Sequence, residues 1–169
     1  MFNTIRQDLK TYGGDWSSQG FWVMIVYRFG RWRYDFKSGI VRKPLSMLYK
    51  ISYKAVQILT GIELPCEVEI GRNFRIDHFG DIIISGFASF GDNCIIRNGV
   101  TVGLRRTDDP VAPAIGNNVD IGAGAKLLGG ITIGNNVHIG ANAVVLIDIP
   151  SDSAAVGIPA RIIERKSHD

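Results

Sequence analysis

Three side chains in this sequence can exchange a proton near neutral pH: His78, His138 and His168. A histidine of ordinary pKa, about 6.5, is a natural general base where a hydroxyl loses its proton while attacking a carbonyl carbon. What holds each histidine decides which could serve. His78 stands in the run Ile76-Asp77-His78, with a carboxylate as neighbour. His138 closes a repeated hexapeptide, where an exposed corner is expected, and His168 lies in the charged tail. Cys66 and Cys94 have no metal-ligand spacing, and His78 and His138 alone do not make a zinc set, so no metal is expected.

The elements that must position these groups follow a six-residue beat from about Leu64 to Pro150. Its clearest stretch reads Ile115-Gly-Asn-Asn-Val-Asp, Ile121-Gly-Ala-Gly-Ala-Lys, Leu127-Leu-Gly-Gly-Ile-Thr, Ile133-Gly-Asn-Asn-Val-His, Ile139-Gly-Ala-Asn-Ala-Val. A period of six matches neither a helix nor a flat strand. It is the signature of a hexapeptide β-helix, in which three units close a triangular coil of about 18 residues. The first-place aliphatic points inward and stacks on its counterpart one coil away, because no unit can bury its apolar face alone. The fifth place is crowded and takes small residues such as Cys94, Ala125 and Ala143. Gly and Asn suit the corners, where φ turns positive. The beat slips by two residues just after His78 and resumes at Ile84. It breaks again beyond Gly103, where Arg105, Arg106, Asp108, Asp109, Pro110 and Pro113 mark an extruded loop over 104–114. Long loops in solenoids are usually functional. The chain thus divides into a helical segment, 1–61, a β-helix, 62–150, and a tail, 151–169.

Residues 1–61 lack the beat. A short helix should end at Gly13-Gly14. A second should cover about Phe21 to Trp32 with Trp22, Ile25, Val26 and Phe29 inward. Gly39 and Pro44 punctuate, and a third helix should run from about Leu45 to Leu59. It should bury Leu45, Leu48, Ile51, Ala55 and Leu59 and end at Gly61. Residues 1–60 hold ten Lys/Arg against three Asp/Glu, although the whole chain carries only +3. Such a basic section is a solvated face, a phosphate contact or a dock for an anionic membrane surface. The apolar run Phe21–Tyr27 is too short to span a bilayer, and the polar first ten residues do not read as a signal peptide. A cytoplasmic, reduced protein is expected. No aromatic-basic module suggests nucleic acid.

The beat, Ile76-Asp77-His78, Asn98-Gly-Val-Thr-Val-Gly103, Ile121-Gly-Ala-Gly-Ala-Lys126-Leu-Leu-Gly129 and Gly157-Ile-Pro-Ala-Arg161 together resemble the serine acetyltransferase branch of the hexapeptide acyltransferases. Tyr27-Arg28-Phe29-Gly30-Arg31-Trp32 resembles that branch's last helical segment. The likeness covers roughly residues 20–165 and implies a left-handed parallel β-helix, an exception to the right-handed crossover rule. It also implies a homotrimer that binds acetyl-CoA between neighbouring coils and transfers the acetyl group to a hydroxyl or amine. His78 matches the catalytic histidine, Glu63 the carboxylate that orients it (an Asp in those enzymes), and Asp77 an acceptor-binding Asp. Backbone N–H groups around Gly103 would face the developing oxyanion. The pantetheine arm would pass Gly103, Ala123 and Ala141, with Lys126 or Arg161 on the phosphates.

The sequence departs from that pattern where the substrate carboxylate should be held. An Arg-His pair is replaced by Val111-Ala112, with Arg105 and Arg106 the nearest substitutes. The long helical domain that joins two trimers in those enzymes is mostly absent. The expected activity is therefore O-acetyl transfer from acetyl-CoA to a sugar hydroxyl of a surface polysaccharide or its precursor. Serine O-acetylation and a non-catalytic trimeric binding protein are the alternatives.

Overall fold

A computed structural model of the chain describes residues 1–164; the tail beyond, with His168, lies outside the described residues. Three helices lead into a parallel β-helix with three faces. The first face stacks Ile62–Glu63, Ile82–Ile84, Thr101–Gly103, Lys126–Leu128 and Val144–Val145. The second stacks Glu69–Ile70, Ser89–Phe90, Ala114–Ile115 and Thr132–Ile133. The third stacks Arg75–Asp77, Ile95–Arg97, Asp120–Ile121, His138–Ile139 and Ser153–Val156. The inward column Ile76, Ile96, Ile121 and Ile139 is fully buried, as the beat requires. Cys94 is a buried filler whose thiol burial pushes up in pKa.

The ladder register locates both irregularities. Lys126 pairs with Val144, the regular advance of the beat. Earlier, Arg75 pairs with Ile95, two residues more than the beat, because of the slip after His78. Ile95 pairs with Asp120, seven more, because of the loop. The loop proper is Leu104–Pro113, and Ala114 already belongs to the next strand. Its two ends lie on the following coil: Arg105 and Val111 cover Gly129 and Gly130, where a Cβ would meet them at 3.1 and 2.6 Å. The coil does not stop at Pro150. Ser153–Val156 pairs in parallel with His138–Ile139, and Arg161–Glu164 then folds back antiparallel.

Helix α1 is Phe2–Thr11, α2 is Gln19–Trp32 and α3 is Gly39–Thr60. Asp8, buried on α1, takes both Nε and Nη2 of Arg28 at 2.9 and 3.1 Å and so ties α1 to α2. Two corrections concern helix faces. In α2 the deep face is Gly20, Val23, Met24, Tyr27 and Gly30; of the expected stripe Val26 and Phe29 pack at the margin of the core and Trp22 is exposed. That helix is apolar nearly all round, so periodicity could not choose a side. Gly20 and Gly30 set the choice by close approach: a Cβ on Gly20 would lie 2.6 Å from the Ile76 carbonyl, and one on Gly30 2.5 Å from Tyr49. In α3 the helix begins at Gly39 with Pro44 inside it. Its buried side carries Tyr49 and Thr60, with Tyr53 and Val56 packed alongside. The residues expected inside, Leu48, Ile51 and Leu59, are 52%, 58% and 70% exposed. The aromatic side won because Tyr49 also reaches the Cys66 amide, accepting its hydrogen bond at 3.0 Å.

Candidate active site

Each coil turns from the third face to the first through a corner of small residues. Their amides bond back to the preceding coil: Gly99 to the Gly80 carbonyl at 3.0 Å, Gly124 to Asn98 at 2.9 Å, Asn142 to Ala123 at 2.8 Å. Ala123 and Ala141 are therefore stacked at this corner, and the Gly157–Ala160 turn continues it, with the Ala160 amide bonded to Val144. In the lowest coil the same corner is enlarged by the slip. There His78, Gly80 and Asp81 all adopt left-handed φ, at 65°, 99° and 54°. A left-handed histidine is uncommon, and backbone of this kind concentrates at functional sites.

The enlarged corner separates two cavities. One, about 320 Å³, is lined by Tyr12, Asp15, Ser18, Arg75, Asp77 and His78. The other, about 330 Å³, is lined by Gln57, Gly61, Glu63, Asp81, Ile82 and Ile83. In the first, Arg75 Nε donates to Asp77 at 2.5 Å. Asp15 accepts from the Ser17 amide at 2.9 Å and hydroxyl at 2.6 Å, which hold its carboxyl below the usual range and so ionised. Tyr12 accepts the Ile76 amide at 3.0 Å, and burial keeps its phenol protonated. Two carboxylates, Asp15 and Asp77, thus line the cavity with Arg75, and Arg97, the cross-strand neighbour of Asp77, is paired with Asp120. Tyr12, Asp15 and Ser18 were not legible as site residues, because more than fifty positions separate them from His78. The signal available was local: Gly13 and Gly14, both with positive φ, followed by an Asp-x-Ser turn.

In the second cavity Glu63 Oε2 accepts from Gln57 Nε2 at 3.1 Å, and Lys54 Nζ donates to Gln57 at 3.0 Å. Tyr53 nearby is pushed up to about 12 by burial, with the charge of Glu63 adding to it. Among the described residues Glu63 is held by α3, not by His78. The expected pair is brought to two sides of one corner without a direct hydrogen bond.

The remaining candidates divide. Along the outer first face Glu63, Ile83, Thr101, Lys126 and Val144 stand in one row. Lys126 Nζ is engaged there by the Gly99 carbonyl at 2.6 Å and Thr101 Oγ1 at 3.0 Å. Gly103 lies at the far end of its strand from that corner, with open space beyond its Cα. Arg161 is exposed at the start of the last strand. Arg106 is paired with Asp108 at 2.8 Å out in the loop. Ala112 is buried, and Val111 packs on Gly130, so neither position offers a cation. His138 is not at a corner. It points out from its strand with Nδ1 3.4 Å from Asp120, which also pairs with Arg97. No cluster of three metal-ligating side chains occurs among the described residues.

Comparison with known proteins agrees with this architecture. The family model "Bacterial transferase hexapeptide (six repeats)" matches residues 113–146. A serine acetyltransferase of Synechococcus elongatus is 40% identical over 147 residues, 86% of this chain but 57% of that protein. The chain thus spans less than two thirds of that relative's length. The putative colanic acid biosynthesis acetyltransferase WcaB of Escherichia coli K12 is 35% identical over 161 residues, covering 92% of this chain and 96% of that one. Among solved structures, a Brucella abortus serine acetyltransferase in complex with coenzyme A superposes with a TM-score of 0.81 at 25% identity, over 98% of this chain and 68% of that chain.

Proposed function

The chain belongs to the bacterial hexapeptide transferases, in the group that holds serine acetyltransferases and WcaB, and from that membership we propose that it moves an acetyl group from acetyl-CoA to a sugar hydroxyl of a surface polysaccharide or its precursor. The fold is the left-handed β-helix of that family. The observation that carries the acceptor reading is the charge around His78. Asp15 and Asp77 line the cavity with Arg75, Arg97 beside Asp77 is committed to Asp120, and Val111 and Ala112, in the places of the family's Arg-His pair, supply no cation. A carboxylate brought beside Asp15 and Asp77 is disfavoured by like charge. A neutral polyol is not, because carboxylates accept hydrogen bonds from its hydroxyls.

In this mechanism His78 removes the acceptor's proton as its oxygen attacks the thioester carbonyl, and CoA leaves as the thiol. Both reactants are held together, so no acetyl-enzyme is needed. Glu63, on the other side of the corner, steadies the charged imidazole. The pantetheine arm follows Ala123 and Ala141 toward Gly103. Arg161 is the freer cation for CoA phosphates, since Lys126 has two donors engaged. A homotrimer would cover Ile83 and Ile147, both nearly half exposed. The test is a screen of CoA thiol release with nucleotide sugars, amino sugars and serine. Turnover with a sugar and its loss in His78→Ala support the reading; no turnover with any sugar overturns it.

Serine acetylation remains the second reading, favoured by the Synechococcus relative at 40% identity. It requires Arg105 or Arg106 to turn inward.

A further inference from the structure

Helix α3 leaves an apolar stripe in solvent that nothing among the described residues covers. Ile40, Met47, Leu48, Ile51, Ile58 and Leu59 recur at helical spacing and are between 52% and 88% exposed. Lys43, Lys50 and Lys54 follow one another at seven and four residues, so they form a row along one edge of this stripe. The helix carries no Asp or Glu. A cavity of about 330 Å³ opens on that same edge, lined by Arg42, Lys43, Ser46, Met47 and Lys50. Its three cations around one apolar side chain suit a phosphate group at the margin of a hydrocarbon surface.

We infer that α3 docks on an anionic lipid bilayer, its apolar stripe at the acyl boundary and its lysine row among phospholipid headgroups. The helix is 22 residues long, and no helix of the described chain is long and apolar enough to cross a membrane, so it lies in the interface rather than spanning it. Charge selects the bilayer over a second copy. Two α3 stripes face to face would bring cations together with no acid between them. The same edge continues through Gln57 to Glu63. Docking would therefore set the enlarged corner close to the membrane plane. Resting on the sugar-acceptor reading, this places the acceptor on a lipid carrier at that surface.

The experiment is co-sedimentation of the full chain with phosphatidylcholine vesicles containing about a third phosphatidylglycerol. CoA release on a water-soluble acceptor and sedimentation equilibrium without lipid run in parallel. Wild type should pellet with these vesicles, and much less with phosphatidylcholine alone. Met47→Asp/Ile51→Asp and, separately, Lys43→Glu/Lys50→Glu should each lower the bound fraction on the order of tenfold. Both should keep turnover on the soluble acceptor and the same mass without lipid. Wild type that ignores anionic vesicles, or a Met47→Asp/Ile51→Asp variant that binds them as well, overturns the docking while leaving the acetyl-transfer reading standing. A change of mass in that variant without lipid makes the stripe a contact between copies and overturns it too.

Discussion

Two corners of the same prism are built from similar turns and do different work. At the corner between the second and third faces, every coil places an asparagine or aspartate in the left-handed region: Asn73, Asn93, Asn118, Asn136 and Asp152. Their side chains bond one to the next at 2.8–2.9 Å, so each amide's partner is its own neighbour. At the corner between the third and first faces the residue changes from coil to coil: His78 with Gly80 and Asp81, then Gly99, Gly124 and Asn142. Where a repeat is kept, the polar groups satisfy each other and offer a ligand nothing. Where it is broken, polar groups are released to face a cavity. Regularity specifies the fold, and departures from it mark the chemistry.

The largest effect expected from this contrast is at His78. His78→Ala should lower kcat by roughly 10²–10⁴, the range for a lost general base, with acetyl-CoA affinity intact by calorimetry. Glu63→Gln should cost less, since it keeps the shape and the Gln57 contact but loses the charge. Equal losses from the two, or no loss from His78→Ala, would break the contrast from the functional side.

The ladder corner should respond in stability alone. Asn118→Ala removes two side-chain hydrogen bonds and forces alanine into φ 56°, which should cost about 2–3 kcal/mol by urea unfolding with kcat unchanged. Asn118→Gly should recover part of that cost, because only the backbone strain is relieved. A fall in kcat with stability unchanged would mean the ladder takes part in chemistry.

The smallest effect lies at the same corner's rim. Arg72 holds the Asp92 carboxyl below its ordinary pKa through a 2.6 Å contact. A depressed carboxylate stabilises the fold above its unfolded pKa and loses that contribution as pH falls through its folded value. The urea midpoints of wild type and Arg72→Ala should therefore differ slightly at pH 7 and converge only as pH falls below about 4 and through the lower folded pKa of Asp92 in the wild type. A difference that widens in acid would contradict the assignment.

The β-helix was legible because its inward residues repeat with a period no other element uses. The slip after His78 was legible as two extra residues, and the ladder register places it at the same corner. What stayed hidden depended on surfaces meeting across long stretches of chain. Asp15 reaches the His78 cavity only because Gly20 lets α2 touch the Ile76 strand. The exposed side of α3 was misread because it is the more aliphatic one. Tyr49 and Tyr53 on the opposite side have partners in the coil, and aliphatic spacing alone says nothing of partners. The Glu63–Gln57 bond joins neighbours that belong to two different elements, so neither pattern contained it.

The account rests most directly on the two carboxylates beside His78, and steady-state kinetics with serine test it. With purified protein and saturating acetyl-CoA, the serine kcat/KM should fall well below the ordinary enzyme range of about 10⁴ M⁻¹s⁻¹, because Asp15 and Asp77 oppose the serine carboxylate and Val111-Ala112 supply no cation for it. A serine kcat/KM at or above about 10⁴ M⁻¹s⁻¹, abolished by Arg105→Ala or Arg106→Ala, would contradict it.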